Sequence, residues 1–106
     1  MKSLMGIIAA VSVMLATPAV AVDMAAGKAL AQKSGCLACH TVEKKVVGPA
    51  FKDIAAKYKG NAKAEEMLIT KVTKGGSGVW GPVPMPANAK VTPEDMKTLV
   101  QWALAQ

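Results

Sequence analysis

Apolar side chains recur three and four residues apart in four stretches of the chain, which is the spacing of one helical face. The last stretch is the best defined, because Thr92 can cap it, Pro93 suits its first position and its apolar stripe continues to Leu104. The other three helices are predicted to begin near Asp23, near Phe51 and near Asn61. No stretch alternates apolar and polar residues as a half-buried strand does. The pattern therefore predicts an all-α domain.

Two of the predicted helices carry features that bear on packing. The first helix has small residues one turn apart, Gly27 and Ala31, which would let another helix approach closely. Both residues are also simply tolerated in helices, so the spacing alone does not decide between these interpretations. In the last helix, Met96 and Leu99 belong to the predicted core face, and Trp102 lies beside it.

The first 21 residues have the pattern of a cleaved secretory signal peptide. Lys2 supplies a positive start, the apolar run Leu4–Ala16 follows, and a small-x-small sequence ends at Ala21. A membrane anchor fits less well, because the run is shorter than the roughly 20 apolar residues that span a bilayer. The sequence therefore predicts a leader over residues 1–21 and one exported domain over residues 22–106.

Both cysteines and the only histidine of the chain lie together in the sequence CLACH, residues 36–40. Two thiols one helical turn apart can each add across a vinyl group of haem, and the imidazole of His40 can then bind the iron. A disulfide between Cys36 and Cys39 would close a very small loop, a thioredoxin-like site would need a βαβ unit, and structural zinc would need a fourth ligand. The motif therefore predicts covalent attachment of haem.

A rigid corner follows the histidine at Gly48 and Pro49, because proline fixes its own backbone angle. Histidines that bind a metal nearly always donate their second ring N–H to a carbonyl or a carboxylate. The Pro49 carbonyl is the candidate acceptor for His40, and an ordinary turn is the alternative.

The second axial ligand of the iron is sought among the four methionines that follow the leader, because the chain has no second histidine. Met67 and Met96 fall in predicted helices, where filling space in the core is the simpler role, and Met24 is near the new amino terminus. Met85 lies between two prolines in residues 75–91, a long stretch without a helical pattern. Loops of this length inside compact domains are usually functional. Met85 is therefore predicted to be the ligand, and its thioether would favour ferrous iron and raise the reduction potential.

The charge of the chain bears on its partners. The formal net charge is +6, and all 13 basic residues are lysines, against 7 acidic residues. A lysine-rich surface aids solubility and also attracts acidic partners, which raises encounter rates. Arginine clusters with interleaved aromatic residues, which typify nucleic-acid binding, are absent from the sequence.

Three segments together resemble the small bacterial class I cytochromes c of the cytochrome c-551 type. They are the haem motif, GPAFKD at residues 48–53 and, most specifically, GVWGPVPMPAN at residues 78–88. The resemblance extends over residues 23–106 and implies four or five short helices wrapped around one covalently bound haem c with its iron. It also implies that Cys36 and Cys39 form the thioether links.

The resemblance further implies a role for each matching residue around the haem. His40 would be the proximal ligand and Met85 the distal one. Asn88 would orient the Met85 sulfur by a hydrogen bond, and Trp80 would place its indole N–H near a haem propionate; a turn residue and a core aromatic are the simpler alternatives for these two. Lys71 stands where relatives often carry arginine beside the propionates, and lysine keeps that charge without the planar fork.

The implied function is electron transfer in the periplasm, by a monomer that is not an enzyme and does not insert into the membrane. Its partners would be an oxidase, a nitrite reductase or a cytochrome donor, docking at an exposed haem edge near Leu37, Pro82 and Val83. One alternative is a haem enzyme or gas sensor of the peroxidase-like type, with a displaceable Met85. Another is a subunit of a larger reductase. The single haem motif, without a second histidine or an arginine to act on peroxide, weighs against an enzyme.

Overall fold

A computed structural model describes residues 22–106 together with Gly6. The described part contains a 3-10 turn over Cys36–Ala38 and four α-helices, which are α1 Met24–Lys33, α2 Phe51–Lys57, α3 Ala64–Lys74 and α4 Pro93–Leu104. Within residues 22–106, extended pairing is confined to two isolated bridges, so the predicted all-α class is confirmed. None of these helices combines the length and the hydrophobicity needed to cross a bilayer. The leader predicted over residues 1–21 lies outside the described residues, apart from Gly6, and stays a prediction.

Side-chain caps begin α1 and α4 at the predicted positions. The carboxylate of Asp23 accepts from the N–H of Ala26 at 2.9 Å, and the hydroxyl of Thr92 accepts from the N–H of Asp95 at 3.3 Å. Each cap satisfies an amide that the first turn of a helix leaves without a partner inside that helix. Pro93 occupies the first turn of α4, where its missing N–H costs nothing.

The start of α3 differs from the prediction. The sequence pattern predicts Asn61 as its cap, but the helix begins at Ala64, and the preceding Lys63 makes no side-chain cap bond. The side chain of Asn61 instead accepts from the N–H of Lys63 at 2.9 Å. This bond reaches two residues along the chain and forms a separate turn of the kind that asparagine favours. The prediction that Asn61 caps α3 is therefore wrong.

The core forms where α4 packs against each of the other three helices. Met96, Leu99 and Val100 of α4 are all buried. Trp102, which the stripe predicts beside the core face, lies inside the core with only 3% of its surface exposed. Its ring meets the ring of Phe51 edge to face, with the two centroids 4.9 Å apart. The aromatic pair thus joins α2 to α4.

The small residues of α1 lie where α1 meets α4, and both are buried. A Cβ atom added at Gly27 would lie 2.2 Å from the Cβ of Trp102, far inside normal contact distance. The spacing of Gly27 and Ala31 therefore serves close helix packing, which settles the two interpretations that the sequence leaves open.

Candidate haem site

The CLACH motif forms a tight turn on the wall of one cavity. The N–H groups of Cys39 and His40 both donate to the carbonyl of Cys36, at 3.2 and 2.9 Å. The two thiols are free, half-buried and border the same cavity. Burial raises the pKa of the Cys36 thiol, a backbone hydrogen bond opposes this rise, and the nearby Cys39 adds to it. Both thiols are thus placed to react with one group in the cavity.

His40 is held in a defined orientation and tautomer. Its ring is buried, and its Nδ1 lies 2.7 Å from the carbonyl oxygen of Pro49. Because a carbonyl can only accept, Nδ1 carries the proton and donates it to this bond. Nε2 therefore keeps its lone pair for a metal ion. The acceptor predicted from the sequence is present in the structure.

The loop between His40 and α2 folds back onto the motif. The N–H of Gly48 donates to the carbonyl of Cys39 at 2.8 Å. A Cβ atom at Gly48 would lie 2.4 Å from Cε1 of His40, so a side chain there would displace the imidazole. At the start of α2, the N–H of Phe51 donates to the carbonyl of Thr41 at 2.9 Å. The ring of Phe51 packs beside the imidazole, with the centroids 5.2 Å apart.

A second segment, the Met85 loop (residues 75–91), also borders the cavity and has no helical structure. Gly76 and Met85 form an isolated antiparallel bridge, in which the N–H of each donates to the carbonyl of the other, at 3.0 and 2.8 Å. Gly75 has a φ of 71°, and a Cβ atom there would lie 2.5 Å from the carbonyl oxygen of Met85. Glycine is therefore required at this position. The bridge anchors the backbone of Met85 at the edge of the cavity.

The positions of the methionines separate the candidates that the sequence leaves open. Among the four methionines of residues 22–106, only Met85 borders the cavity. Met96 is 2% exposed and belongs to the core, whereas Met67 and Met24 are exposed on α3 and α1. Met85 is thus the methionine placed to reach a group bound in the cavity.

Asn88 ties the Met85 loop to α3 and to the residue that follows α1. Its backbone N–H donates to the carbonyl of Val72 at 2.9 Å, and its side-chain amide donates to the carbonyl of Ser34 at 3.1 Å. The side-chain bond to the Met85 sulfur, which the resemblance implies, is not among the hydrogen bonds of the described residues. A side-chain amide carries two hydrogens, and the bond to Ser34 uses one of them.

Trp80 and Lys71 both border the cavity. Trp80 is exposed at the surface, and Nζ of Lys57 lies 5.3 Å from the centroid of its ring. Lys71 is half-buried on α3, and its ammonium group reaches the Met85 loop. A Cβ atom at Gly76 would lie 2.8 Å from Nζ of Lys71.

Apolar residues are exposed around the cavity. Leu37, Pro82 and Val83 are all exposed, and the latter two border the cavity. Val47 and Val79 also border it and are exposed, although the sequence reasoning did not single them out. Val79 lies within the GVWGPVPMPAN segment and Val47 directly precedes GPAFKD, and this proximity is the signal that could have identified them.

The cavity fits a covalently attached haem. Its empty space is about 1230 Å³, counted with the part that opens to solvent. Most of its lining residues are apolar, and Cys36, Cys39, His40 and Met85 also line it. Their side chains carry two thiols, an imidazole and a thioether. These are the groups that hold haem c in proteins with one histidine and one methionine ligand.

Comparisons with known proteins identify the family of this chain. The cytochrome c family model matches residues 24–104. Cytochrome c-551 of Allochromatium vinosum is 60% identical over 75 residues, covering 71% of this chain and 80% of the relative. Cytochrome c-551 of Pseudomonas aeruginosa is 49% identical over 77 residues, covering 73% of each chain. The crystal structure of Nitrosomonas europaea cytochrome c552 matches with a TM-score of 0.71 and 52% identity, over 74% of this chain and 96% of that one.

These matches confirm the predicted class I cytochrome c fold and its cofactor. The chain belongs to the cytochrome c family and carries one haem c, with its iron, attached through Cys36 and Cys39.

Proposed function

We propose that this protein is a soluble periplasmic electron carrier, not an enzyme, that serves respiratory or denitrification-type partners. The observation that carries the proposal is that His40 and Met85 border the same cavity. Haem iron, when bound, supplies reversible one-electron chemistry. With His40 and Met85 as its axial ligands, the chain itself would fill both axial positions, so that no position remains for a substrate.

The two proposed ligands have different effects on the iron. The bond from His40 to the Pro49 carbonyl, at 2.7 Å, fixes the ring and makes Nε2 a stronger donor. The thioether of Met85 is a soft, neutral donor that favours the ferrous state. In this proposal the second amide hydrogen of Asn88 is directed to the Met85 sulfur and orients it.

Trp80 and Lys71 are proposed to face the haem propionates. Both residues border the cavity, and each brings a group that suits a carboxylate, an indole N–H and an ammonium. Lys71 would contribute a localised positive charge, without the paired hydrogen bonds that an arginine provides.

The proposed docking face consists of Leu37, Pro82 and Val83. Leu37 and Val83 are 38% and 59% exposed, and a small apolar face of this kind suits brief redox encounters. Residues 22–106 lack Lys2 and carry 12 lysines against 7 acidic residues, and this net charge of +5 favours an acidic partner. We infer that the partners are a periplasmic oxidase, a nitrite reductase or a cytochrome donor, and that the protein docks as a monomer.

The docking face is tested by two matched substitutions. Val83→Glu adds a negative charge on the face, whereas Met24→Glu adds the same charge at an exposed position on α1 that does not border the cavity. Electron exchange with an isolated partner of these classes should slow in the first variant and remain near the wild-type rate in the second. Equal rates in both variants would remove the docking face from the proposal.

The periplasmic location rests on the predicted leader. Mass spectrometry of the protein purified from the periplasmic fraction of its host should give a mature chain that begins at Val22. A haem-containing chain that begins at Met1 and stays in the cytoplasm would contradict this part of the proposal.

Binding of carbon monoxide separates a carrier from a haem enzyme or gas sensor. The reduced wild-type protein should not bind carbon monoxide readily, because Met85 would occupy the axial position of the iron where carbon monoxide binds. Met85→Ala should bind it, and Met67→Ala, which removes an exposed methionine outside the cavity, should behave as the wild type. Ready binding by the wild type, or turnover of peroxide, would favour the enzyme or sensor with a displaceable Met85.

A further inference from the structure

Helix α2 connects the histidine side of the cavity to the Met85 loop. The helix begins directly after Pro49 and Ala50, and the carbonyl of Pro49 accepts from His40. It ends at Lys57, whose Nζ lies over the ring of Trp80 at 5.3 Å from the centroid. A cation within about 6 Å of a tryptophan face is attracted to the negative face of the ring. Lys57 therefore joins α2 to the loop that carries Met85.

The position of Trp80 lets this contact influence the orientation of the indole. Trp80 borders the cavity and yet is 41% exposed, so its ring stands at the cavity mouth with much of its surface free of packing. Buried tryptophans are fixed by their neighbours, as Trp102 is in the core. At a half-open position, a single side-chain contact has more influence on where the indole points.

We propose that Lys57 is a positioning residue for Trp80, which holds the indole at the mouth of the haem cavity and strengthens its N–H as a donor. The inference rests on the proposed role of Trp80 beside the propionates. A cation over the ring face withdraws electron density from the ring, which makes the indole N–H a better donor to an anion. A stronger hydrogen bond to a propionate draws negative charge away from the iron, and this favours the ferrous haem, which has one positive charge less at the iron. Lys57 thus raises the midpoint potential.

A purely structural role for Lys57 gives a different expectation. A lysine in the last turn of a helix also interacts favourably with the helix dipole. That interaction would stabilise α2 without changing the redox properties of the haem. The midpoint potential therefore distinguishes the two roles, whereas stability does not.

Midpoint potentials of the holoprotein test the proposal. Lys57→Gln should lower the potential, and Lys57→Arg should restore it, because a guanidinium also stacks on an indole face. Lys59→Gln removes the same charge two residues further on, beyond the helix end, and should leave the potential near the wild-type value. A potential unchanged in Lys57→Gln, or lowered equally by Lys59→Gln, would overturn the proposal.

A double substitution tests whether Lys57 acts through Trp80. In a Trp80→Leu background, Lys57→Gln should cause no further shift, and an undiminished shift would mean that the lysine charge acts directly. If Trp80→Leu does not retain haem, the indole N–H resonance of Trp80 serves instead. The chemical shift of this resonance should change in Lys57→Gln and remain unchanged in Lys59→Gln. The opposite pattern would refute the inference. Failure of this inference can be told apart from failure of the proposed function. Binding of carbon monoxide by the wild type tests the proposed function separately, and it is measured first.

Discussion

Replacing Gly27 by alanine adds a single methyl group at the crossing of α1 and α4. That methyl carbon would lie 2.2, 2.3 and 2.7 Å from the Cβ, Cγ and Cδ1 atoms of Trp102. Carbon atoms in favourable contact are about 3.5–4.0 Å apart. One of the two helices must therefore retreat by about 1 Å or more.

The expected change in the free energy of unfolding is the sum of two opposing terms. Alanine is a better helix former than glycine by about 1 kcal/mol, which favours the variant. Overpacking a core costs about 1–3 kcal/mol. The cost in this variant should be at the upper end of that range, because the clashing atoms are those nearest the backbone of Trp102. The ring of Trp102 is also held edge to face against Phe51. The variant should lose about 2 kcal/mol of unfolding free energy, which is roughly a thirtyfold change in the unfolding equilibrium.

Denaturant unfolding of the holoprotein, followed by far-ultraviolet circular dichroism, measures this loss. Ala29→Gly is the matched control, because Ala29 is exposed in the same helix and its replacement reports the propensity term alone, a loss of about 1 kcal/mol. If Gly27→Ala is as stable as the wild type or more stable, the close approach of Gly27 and Trp102 does not limit this helix crossing, and the reasoning fails.

Two further predictions concern the groups that position the proposed ligands. Gly48→Ala should displace the His40 ring and weaken the hydrogen bond of its Nδ1, so that the imidazole becomes a poorer donor and the midpoint potential rises; an unchanged potential in redox titration would contradict this. Asn88→Ala removes the bond to Ser34 and should cost about 1 kcal/mol of stability while weakening the iron–sulfur absorption band. Asn61→Ala, which loses only a bond within a local turn, should leave that band unchanged.

The parts of the fold that could be predicted from the sequence are those encoded within one or two turns of chain. Asp23 and Thr92 cap their helices where the pattern indicates, because a capping side chain and the backbone N–H that donates to it lie three residues apart. Asn61 shows the limit of such local signals, because the same side chain can cap a helix or close a separate turn, and here it does the latter. The CLACH motif could be interpreted chemically because all its reactive groups are adjacent.

Contacts between residues far apart in the chain could not be predicted from the local sequence pattern. The apolar stripe of α4 predicts Trp102 beside the core, but its full burial depends on the small Gly27 of a different helix. The side chain of Asn88 bonds to Ser34, which lies 54 residues earlier in the chain. The contact of Lys57 with Trp80 likewise depends on where α2 meets the Met85 loop. Each of these pairs follows from how the elements pack, and the local sequence pattern does not contain that information.

The absorption spectrum of the oxidised protein tests most directly whether His40 and Met85 together ligate the iron. A weak far-red band arises from charge transfer between ferric iron and a thioether sulfur. The wild type and Met67→Ala should both show this band, and Met85→Ala should lack it. Absence of the band from the wild type, or its survival in Met85→Ala, would contradict the account.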